Sequence, residues 1–254
     1  MKNSTSIPDK CVNSEWLNSW IDTRHLQENL IKTHCRTFAE SPVKMLKLDN
    51  FLNPEIAVKL SAILENDVKY KTNYGLRSAG KKSYGDEYTT SFDEWNAADE
   101  SNKFFKFDDF DGFSLSMGLN ENIAAYLKFT QAFKDFKFIN YLNSITGVKT
   151  HPQKTTMNCV AMSQGDYLRE HKDDHDKFRL AYVFYLSQNW QRDFGGKLQL
   201  LDTSRNKHTV EPEFNTFVIF SVADKTSHYV EPVKSKADNW QRRTMSGWLY
   251  EPTE

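Results

Sequence analysis

Short, β-rich segments fill the second half of the chain, and they constrain the fold more than any other feature of the sequence. They are rich in β-branched and aromatic residues, and turn signals such as Gly195-Gly196 and Glu211-Pro212 separate them. Regularly spaced short strands with turns between them are typical of jelly rolls and related double-sheet barrels. We therefore predict such a barrel over residues 151–252. The predicted strands cover residues 155–162, 178–186, 197–201, 208–211, 215–221, 226–231 and 242–250.

The first half of the chain shows helical periodicity instead. In two stretches apolar residues recur near the spacing of a helix, and Asn53 can cap a third helix that Pro54 begins. The predicted helices cover residues 16–39, 54–65 and 120–146, and a strand is predicted over residues 43–48. We expect the helices to pack on one outer face of the barrel. The 254 residues are interpreted as one domain, 1–254, made of a helical segment at 1–40, a supporting region at 43–150 and the barrel at 151–252.

Residues 70–118 have no clear period and are interpreted as a long polar loop. The segment holds several glycines, many serines and aspartates, and scattered aromatic residues. Long polar loops inside compact domains often cover a binding site, so we hypothesise that this segment is a lid over a substrate. The aromatic residues that would line its groove are Tyr84, Tyr88, Phe92 and Trp95. The alternative is a surface insertion without a role.

Composition argues against several classes of protein. The formal net charge of −1 argues against a direct nucleic-acid partner and against an anionic membrane surface. The N-terminal residues lack the apolar run of a secretory signal, and no stretch approaches the ~18 apolar residues of a membrane span. The three cysteines are widely spaced and odd in number, which excludes a cysteine-rich zinc site and indicates a reduced protein. We predict a cytoplasmic location.

A histidine and an aspartate two residues apart, His171 and Asp173, form the most informative motif. At the end of a strand these side chains point to the same side, so they could bind one metal ion, and a second histidine would complete a two-histidine, one-carboxylate triad. Such triads are typical of non-haem iron(II) oxygenases. A zinc helix with His171 and His175 is the competing interpretation, but Lys172 stands where that motif requires a glutamate. The remaining alternative is a solvated acidic turn.

Downstream residues favour the triad. His228 lies in a short predicted strand that ends at Pro232, and Arg242 follows fourteen residues after it. If residues 242–250 form a strand, Arg242 and Thr244 share one face. A guanidinium beside a hydroxyl group suits a carboxylate ligand, because it offers a bidentate charge-assisted pair and one further hydrogen bond.

The chain resembles the prolyl 4-hydroxylase-like group of 2-oxoglutarate oxygenases. The resemblance lies in the order of three motifs: the His-x-Asp motif, the His-x-Val-x-Pro-Val segment and the arginine before Gly247-Trp248. Within that group the chain is most similar to the ribosomal-protein prolyl hydroxylases, over roughly residues 43–66 and 155–250. The resemblance implies a double-stranded β-helix (jelly roll, cupin-like). Those hydroxylases carry a second, similar domain after the first, whereas this sequence ends six residues after Trp248.

The resemblance also implies a set of functional residues and cofactors. His171, Asp173 and His228 would bind Fe(II), and Arg242 would anchor 2-oxoglutarate, with Tyr185 and Thr244 beside it. Gly195-Gly196 matches a turn that we interpret as structural. O2 would be the second cosubstrate, with ascorbate as a supporting reductant.

We therefore predict a dioxygenase that hydroxylates an unactivated C–H bond. The first substrate hypothesis is an amino-acid residue in a protein or peptide, with proline as the first choice. A free amino acid or another small metabolite is the alternative. A non-catalytic jelly-roll binding protein and a zinc hydrolase are more distant alternatives.

Overall fold

The computed structural model describes residues 15–77, 87–114, 120–151, 154–173, 177–222 and 226–252. The α-helices are α1 Glu15–Asn18, α2 Glu28–Glu40, α3 Pro54–Asn66, α4 Phe92–Ala97, α5 Glu121–Phe133 and α6 Phe136–Thr146. The strands are β1 Met45–Leu48, β2 Val68–Arg77, β3 Glu87–Thr90, β4 Lys103–Phe113, β5 Asn158–Met162, β6 Tyr167–His171, β7 Phe178–Tyr185, β8 Leu198–Leu201, β9 Lys207–Val210, β10 Thr216–Ser221, β11 Ser227–Val230 and β12 Arg242–Tyr250. Short 3-10 helices lie at Thr23–Leu26, Arg192–Phe194 and Ser235–Ala237.

The strands form one antiparallel sheet that curls into a jelly-roll-like barrel. Their order is β1-β10-β7-β12-β5-β4-β6-β11-β8-β9, with β2 paired to β3 and β4 outside this path. The prediction of a mainly β fold with helices on one outer face is confirmed. Within the described ranges, no helix is both long and apolar enough to span a bilayer.

Two hydrophobic cores share the same strands. Along β7, Tyr182 and Phe184 pack under the helices, whereas Ala181 and Tyr185 face the barrel interior. This follows from the alternation of side chains along a strand. The outer core is largely aromatic: the rings of Phe133 and Tyr182 lie 4.6 Å apart, centroid to centroid. The helical layer is therefore bound to the outside of the strands whose inner face forms the cavity.

The predicted strand at 43–48 and the predicted helix at 54–65 are confirmed as β1 and α3. Asn53 caps α3 by accepting a hydrogen bond from the Glu55 amide, with Pro54 as the first helical residue. The prediction that the other two helices are continuous was wrong. A 3-10 turn capped by Asp22 interrupts the first, and Asp135 caps a new helix within the second by accepting from the Lys137 amide.

The prediction of a long loop at 70–118 was wrong for most of the described part of that segment. β2 and β4 pair with each other over nearly their whole length, and β4 also pairs with β5 and β6. Their polar side chains bond across the strands: the Thr72 hydroxyl donates to Asp108 at 2.7 Å and the Asn73 amide to Asp109 at 2.7 Å. The polar residues that suggested a loop therefore belong to paired strands, where they form hydrogen bonds with one another. Tyr84 lies outside the described residues.

Candidate active site

The three side chains of the predicted triad line one cavity inside the barrel. His171 is the last residue of β6, and Asp173 follows two residues later. His228 lies directly opposite His171 in the β6–β11 pair, and their ring centroids are 4.2 Å apart. Asp173 Oδ1 is 3.6 Å from His171 Nε2, and its Oδ2 is 3.5 Å from His228 Nε2. One donor atom of each residue lies within 4.8 Å of the others, so the three could hold one metal ion.

The hydrogen bonding of His171 leaves the correct nitrogen free for such an ion. His171 Nδ1 lies 3.0 Å from the carbonyl oxygen of Arg169. A carbonyl can only accept, so Nδ1 is the donor, and in the neutral imidazole Nε2 then offers its lone pair toward Asp173 and His228. Metal-binding histidines are usually oriented by such a bond from the other ring nitrogen.

The charge state also suits a cation. Burial would raise the pKa of Asp173, but His228, His171 and the Trp248 indole outweigh it and lower that pKa to about 2. Burial, followed by the nearby His171, lowers the pKa of His228 to about 3 against the opposing effect of Asp173. At neutral pH a carboxylate and an unprotonated imidazole are therefore available, as metal binding requires.

The cavity has a volume of about 210 Å³ and mostly apolar walls. Its apolar lining includes Phe107, Val160, Met162, Leu198, Phe220 and Val230. Apolar walls with a few convergent polar groups are typical of small-molecule sites. The lining residues with polar groups include the triad, Arg242, Thr244, Ser246, Asn158 and Asp109.

Arg242 is a buried cation without an anionic partner in the described part of the chain. Its side chain lines the cavity and the residue is 4% exposed. One guanidinium nitrogen donates to Met162 Sδ at 3.5 Å, whereas Nε has no hydrogen-bond partner. Burial lowers the pKa of Arg242, opposed by Tyr185. Because an uncompensated buried charge is costly, this arrangement fits a site that receives a carboxylate.

Thr244 and Tyr185 lie beside this arginine, opposite each other in the β12–β7 pair. The Thr244 side chain lines the cavity, and its hydroxyl donates weakly to the Val160 carbonyl at 3.4 Å. The Tyr185 ring centroid is 5.0 Å from the Arg242 guanidinium carbon, and the tyrosine hydroxyl is buried without a hydrogen-bond partner. Both residues are thus within reach of a ligand held by Arg242.

Several residues near the site were not identified from the sequence. Met162 contacts Arg242 because β5 pairs with β12, and Asp109 reaches the cavity from β4, a strand in the segment that was interpreted as a loop. Alternating aromatic residues around Phe105 and Phe107 were the available signal for that strand. The zinc-helix alternative requires His171 on a helix, whereas it ends a strand; His175 lies outside the described residues.

Comparison with known proteins identifies the barrel. The family model of the 2OG-Fe(II) oxygenase superfamily matches residues 157–250, a range that contains the whole cluster described above. Over these residues the barrel is similar to the 2OG-Fe(II) oxygenase superfamily.

Curated proteins that are similar to this chain include prolyl 3-hydroxylases. The chain is 33% identical to mouse (Mus musculus) Prolyl 3-hydroxylase OGFOD1 over 127 residues, which is 48% of this chain and 22% of the mouse protein. It is 25% identical to Prolyl 3-hydroxylase sudestada1 of Drosophila melanogaster over 125 residues, 44% of this chain and 23% of that protein. The matched region therefore spans less than a quarter of each relative.

Solved structures share the fold of this chain at low sequence identity. A prolyl-4-hydroxylase from Pseudomonas putida superposes with a TM-score of 0.54 at 18% identity, covering 88% of this chain and 100% of that one. A Trichoplax adhaerens prolyl hydroxylase in complex with a peptide fragment of hypoxia inducible factor gives 0.58 at 15%, covering 95% of each chain. These similarities support the double-stranded β-helix.

Proposed function

We propose that this protein is an Fe(II)- and 2-oxoglutarate-dependent hydroxylase of prolyl residues in a protein or peptide. One observation carries the proposal: a buried arginine without an anionic partner shares a 210 Å³ cavity with a His/Asp/His cluster. A metal site alone would fit many functions. The same cavity also contains a cationic side chain that could bind a carboxylate. This combination favours an oxygenase that uses a dicarboxylate cosubstrate.

His171, Asp173 and His228 would hold the iron. Two neutral imidazoles and one carboxylate leave further coordination positions open, as in non-haem iron(II) oxygenases. With 2-oxoglutarate and O2, iron held there would supply oxidative decarboxylation to succinate and CO2, coupled to the insertion of one oxygen atom into a C–H bond. The protein contributes the fixed donor set and the apolar walls that exclude water.

Arg242 would bind the carboxylate of 2-oxoglutarate that lies away from the metal. Its guanidinium can donate two parallel hydrogen bonds to a carboxylate, and the Thr244 hydroxyl can donate a third. Tyr185 would act on the same carboxylate through its buried hydroxyl, which lacks another partner in the described residues. An apolar surrounding strengthens each of these interactions relative to water.

The substrate assignment draws on the prolyl 3-hydroxylase relatives, so carbon 3 of proline is the first position to test. We propose that the layer of β2, β3 and β4 borders the approach of the substrate. This layer reaches the His/Asp/His cluster, because the Phe104 ring centroid lies 5.8 Å from that of His171. The Arg77 guanidinium carbon lies 4.6 Å from the same Phe104 centroid.

The thiols of Cys35 and Cys159 form no disulfide, which supports a cytoplasmic location.

The test is anaerobic reconstitution with Fe(II) and 2-oxoglutarate, followed by visible spectroscopy. The wild-type protein should show a weak charge-transfer band that needs both ligands. Asp173→Ala should lose iron binding and the band, because it removes the anionic donor, whereas Arg242→Gln should keep iron and lose most of the 2-oxoglutarate affinity. Asp111→Ala, at an exposed position of β4, is the control.

Succinate release in air then identifies the substrate class. Proline-containing peptides should stimulate succinate release and gain one oxygen atom, whereas free proline should not. Stimulation by free amino acids alone would replace the peptide assignment. Iron bound to a folded protein with no 2-oxoglutarate-dependent band would overturn the oxygenase proposal.

A further inference from the structure

We propose that Glu170 is a positioning residue for the metal site. Held by Ser227 and Arg205 on the outer face of the sheet, it fixes how His171 and His228 face each other on the inner side. This inference rests on the proposed function, because it takes these two histidines as metal ligands.

The pairing of β6 with β11 contains a bulge next to the cluster. His228 pairs with His171, and the next pair joins Val230 to Leu168. Two residues of β6, Arg169 and Glu170, therefore stand opposite Tyr229 alone. A bulge interrupts the backbone ladder and changes the direction of neighbouring side chains. The backbone hydrogen bonds alone thus specify the position of His171 less firmly than a regular strand would.

Side-chain contacts on the outer face compensate for this interruption. Glu170 and Ser227 are the residues immediately before the two histidines, and both belong to the side of the sheet away from the cavity. The Ser227 hydroxyl donates to Glu170 Oε1 at 2.6 Å. Ser227 is 4% exposed, so this charge-assisted hydrogen bond lies largely out of water. It joins the two metal-ligand strands directly behind the histidines.

Two arginines complete the arrangement from other elements. Arg205, in the turn between β8 and β9, binds both carboxylate oxygens of Glu170, at 2.5 and 2.8 Å. Arg77, at the end of β2, donates to the Glu170 backbone carbonyl at 2.9 Å. Glu170 is therefore held at its carboxylate and at its backbone, which leaves the bulge little freedom to shift.

The competing explanation is an ordinary surface ion pair. Arg205 is 63% exposed at its side chain, and exposed pairs contribute little to stability. The two explanations differ in what they predict. A surface pair affects stability slightly and metal binding not at all, whereas a positioning residue affects metal affinity far more than stability, because metal sites tolerate only small displacements of their ligands.

The experiment titrates metal-free protein with Co(II) and follows its visible absorption, which reports both affinity and coordination geometry. Glu170→Ala should weaken Co(II) binding by about tenfold or more, a loss similar to that caused by removing the groups that orient a metal ligand, and should alter the spectrum. Ser227→Ala should weaken binding too, and the two changes together should be less than additive. Glu213→Ala is the matched control, since Glu213 also pairs with an exposed arginine, Arg192 at 2.9 Å, and should leave Co(II) binding unchanged.

The Glu170→Gln variant distinguishes a loss of positioning from a loss of folding in the alanine variant. It keeps the shape of the side chain and an oxygen acceptor for Ser227, so it should recover most of the affinity that the alanine variant loses. Wild-type affinity and spectrum in a folded Glu170→Ala protein would overturn the positioning role and leave the proposed function standing. Failure of the wild-type protein to bind Co(II) would instead contradict the proposed function.

Discussion

Gly196 determines where the Arg242 side chain can lie. Its φ of +64° falls in the left-handed region, and a Cβ at this position would stand 2.9 Å from Arg242 Cδ. Real Cβ atoms almost never approach so closely, and Arg242 is enclosed by protein. The turn that we interpreted as structural therefore also leaves the space that the Arg242 stem occupies.

Gly196→Ala should accordingly reduce 2-oxoglutarate affinity by roughly tenfold, about 1.4 kcal/mol, by displacing the Arg242 stem. Gly165→Ala is the matched control, because Gly165 also has a positive φ, +83°, but open space around its Cβ position. Both variants should lose about 1–2 kcal/mol of stability from the left-handed backbone. Anaerobic calorimetry of the metal-loaded proteins measures the 2-oxoglutarate Kd. Equal affinities in the two variants would show that the contact with Arg242 is unimportant.

At the scale of residues, the sequence predicted the side chains whose types form a recognisable chemical motif. It missed the residues whose contacts depend on which strands pair and in which register. His171, Asp173, His228 and Arg242 form a pattern of residue types and spacings, and the structure brings all four to one cavity. Gly196 and Glu170 acquire their contacts only when distant strands pair, and no local pattern specifies that pairing.

At the scale of elements, two buried histidines connect α2 to the preceding 3-10 turn. His25 Nε2 lies 3.1 Å from the Asp49 carbonyl oxygen, and His25 Nδ1 lies 3.4 Å from His34 Nε2. Burial lowers the pKa of both, and the neighbouring His25 helps to lower that of His34 to about 4. The unfolded chain takes up these protons near pH 6.5, whereas folded His34 does so only near pH 4. The unfolded state therefore binds more protons between these values.

Stability should fall as the pH drops from about 6.5 toward 4, and His34 should contribute on the order of 2 kcal/mol to that loss. His34→Gln should reduce the slope, because it removes one of the groups that titrates differently in the two states. Urea unfolding of metal-free protein at pH 7, 6 and 5 measures the free energy of unfolding. Comparison of the two proteins removes the contribution of the groups that do not contact His34, and parallel curves would contradict the role of His34.

The strands that the sequence predicted and those that it missed differ in their surroundings. β7 and β10 are buried on both faces and appear as nearly continuous apolar runs. β2 and β4 are half-exposed, and their aspartate, threonine and asparagine side chains satisfy one another across the pair. Such polar cross-strand pairs depend on a partner 36 residues away, so local composition resembles that of a loop.

For the whole molecule, the sharing of strands between two cores argues for a single cooperative unit. On β10, Phe217 and Ile219 pack under the helices while Val218 and Phe220 belong to the barrel interior. The strand cannot lose one core without exposing the other. We therefore propose that the described helices and the barrel form one domain, with the cavity walls and the helical layer unfolding together.

This proposal predicts how ligands should affect unfolding. In the proposed site the metal and 2-oxoglutarate would contact only residues of the barrel interior, and at 100 times its Kd each ligand would stabilise the native state by about 2.7 kcal/mol. For a protein of this size that corresponds to a rise in Tm of roughly 5–10 °C. Because the strands are shared, circular dichroism at 222 nm, which is dominated by the helices, should shift by the same amount as the calorimetric peak. Scanning calorimetry should show one transition with equal calorimetric and van't Hoff enthalpies, both without ligands and with Mn(II) and 2-oxoglutarate.

Arg242→Gln should keep the rise in Tm caused by the metal and lose the part caused by 2-oxoglutarate. Two calorimetric peaks, of which only one moved on adding ligands, would mean that the helical layer and the barrel are separate units.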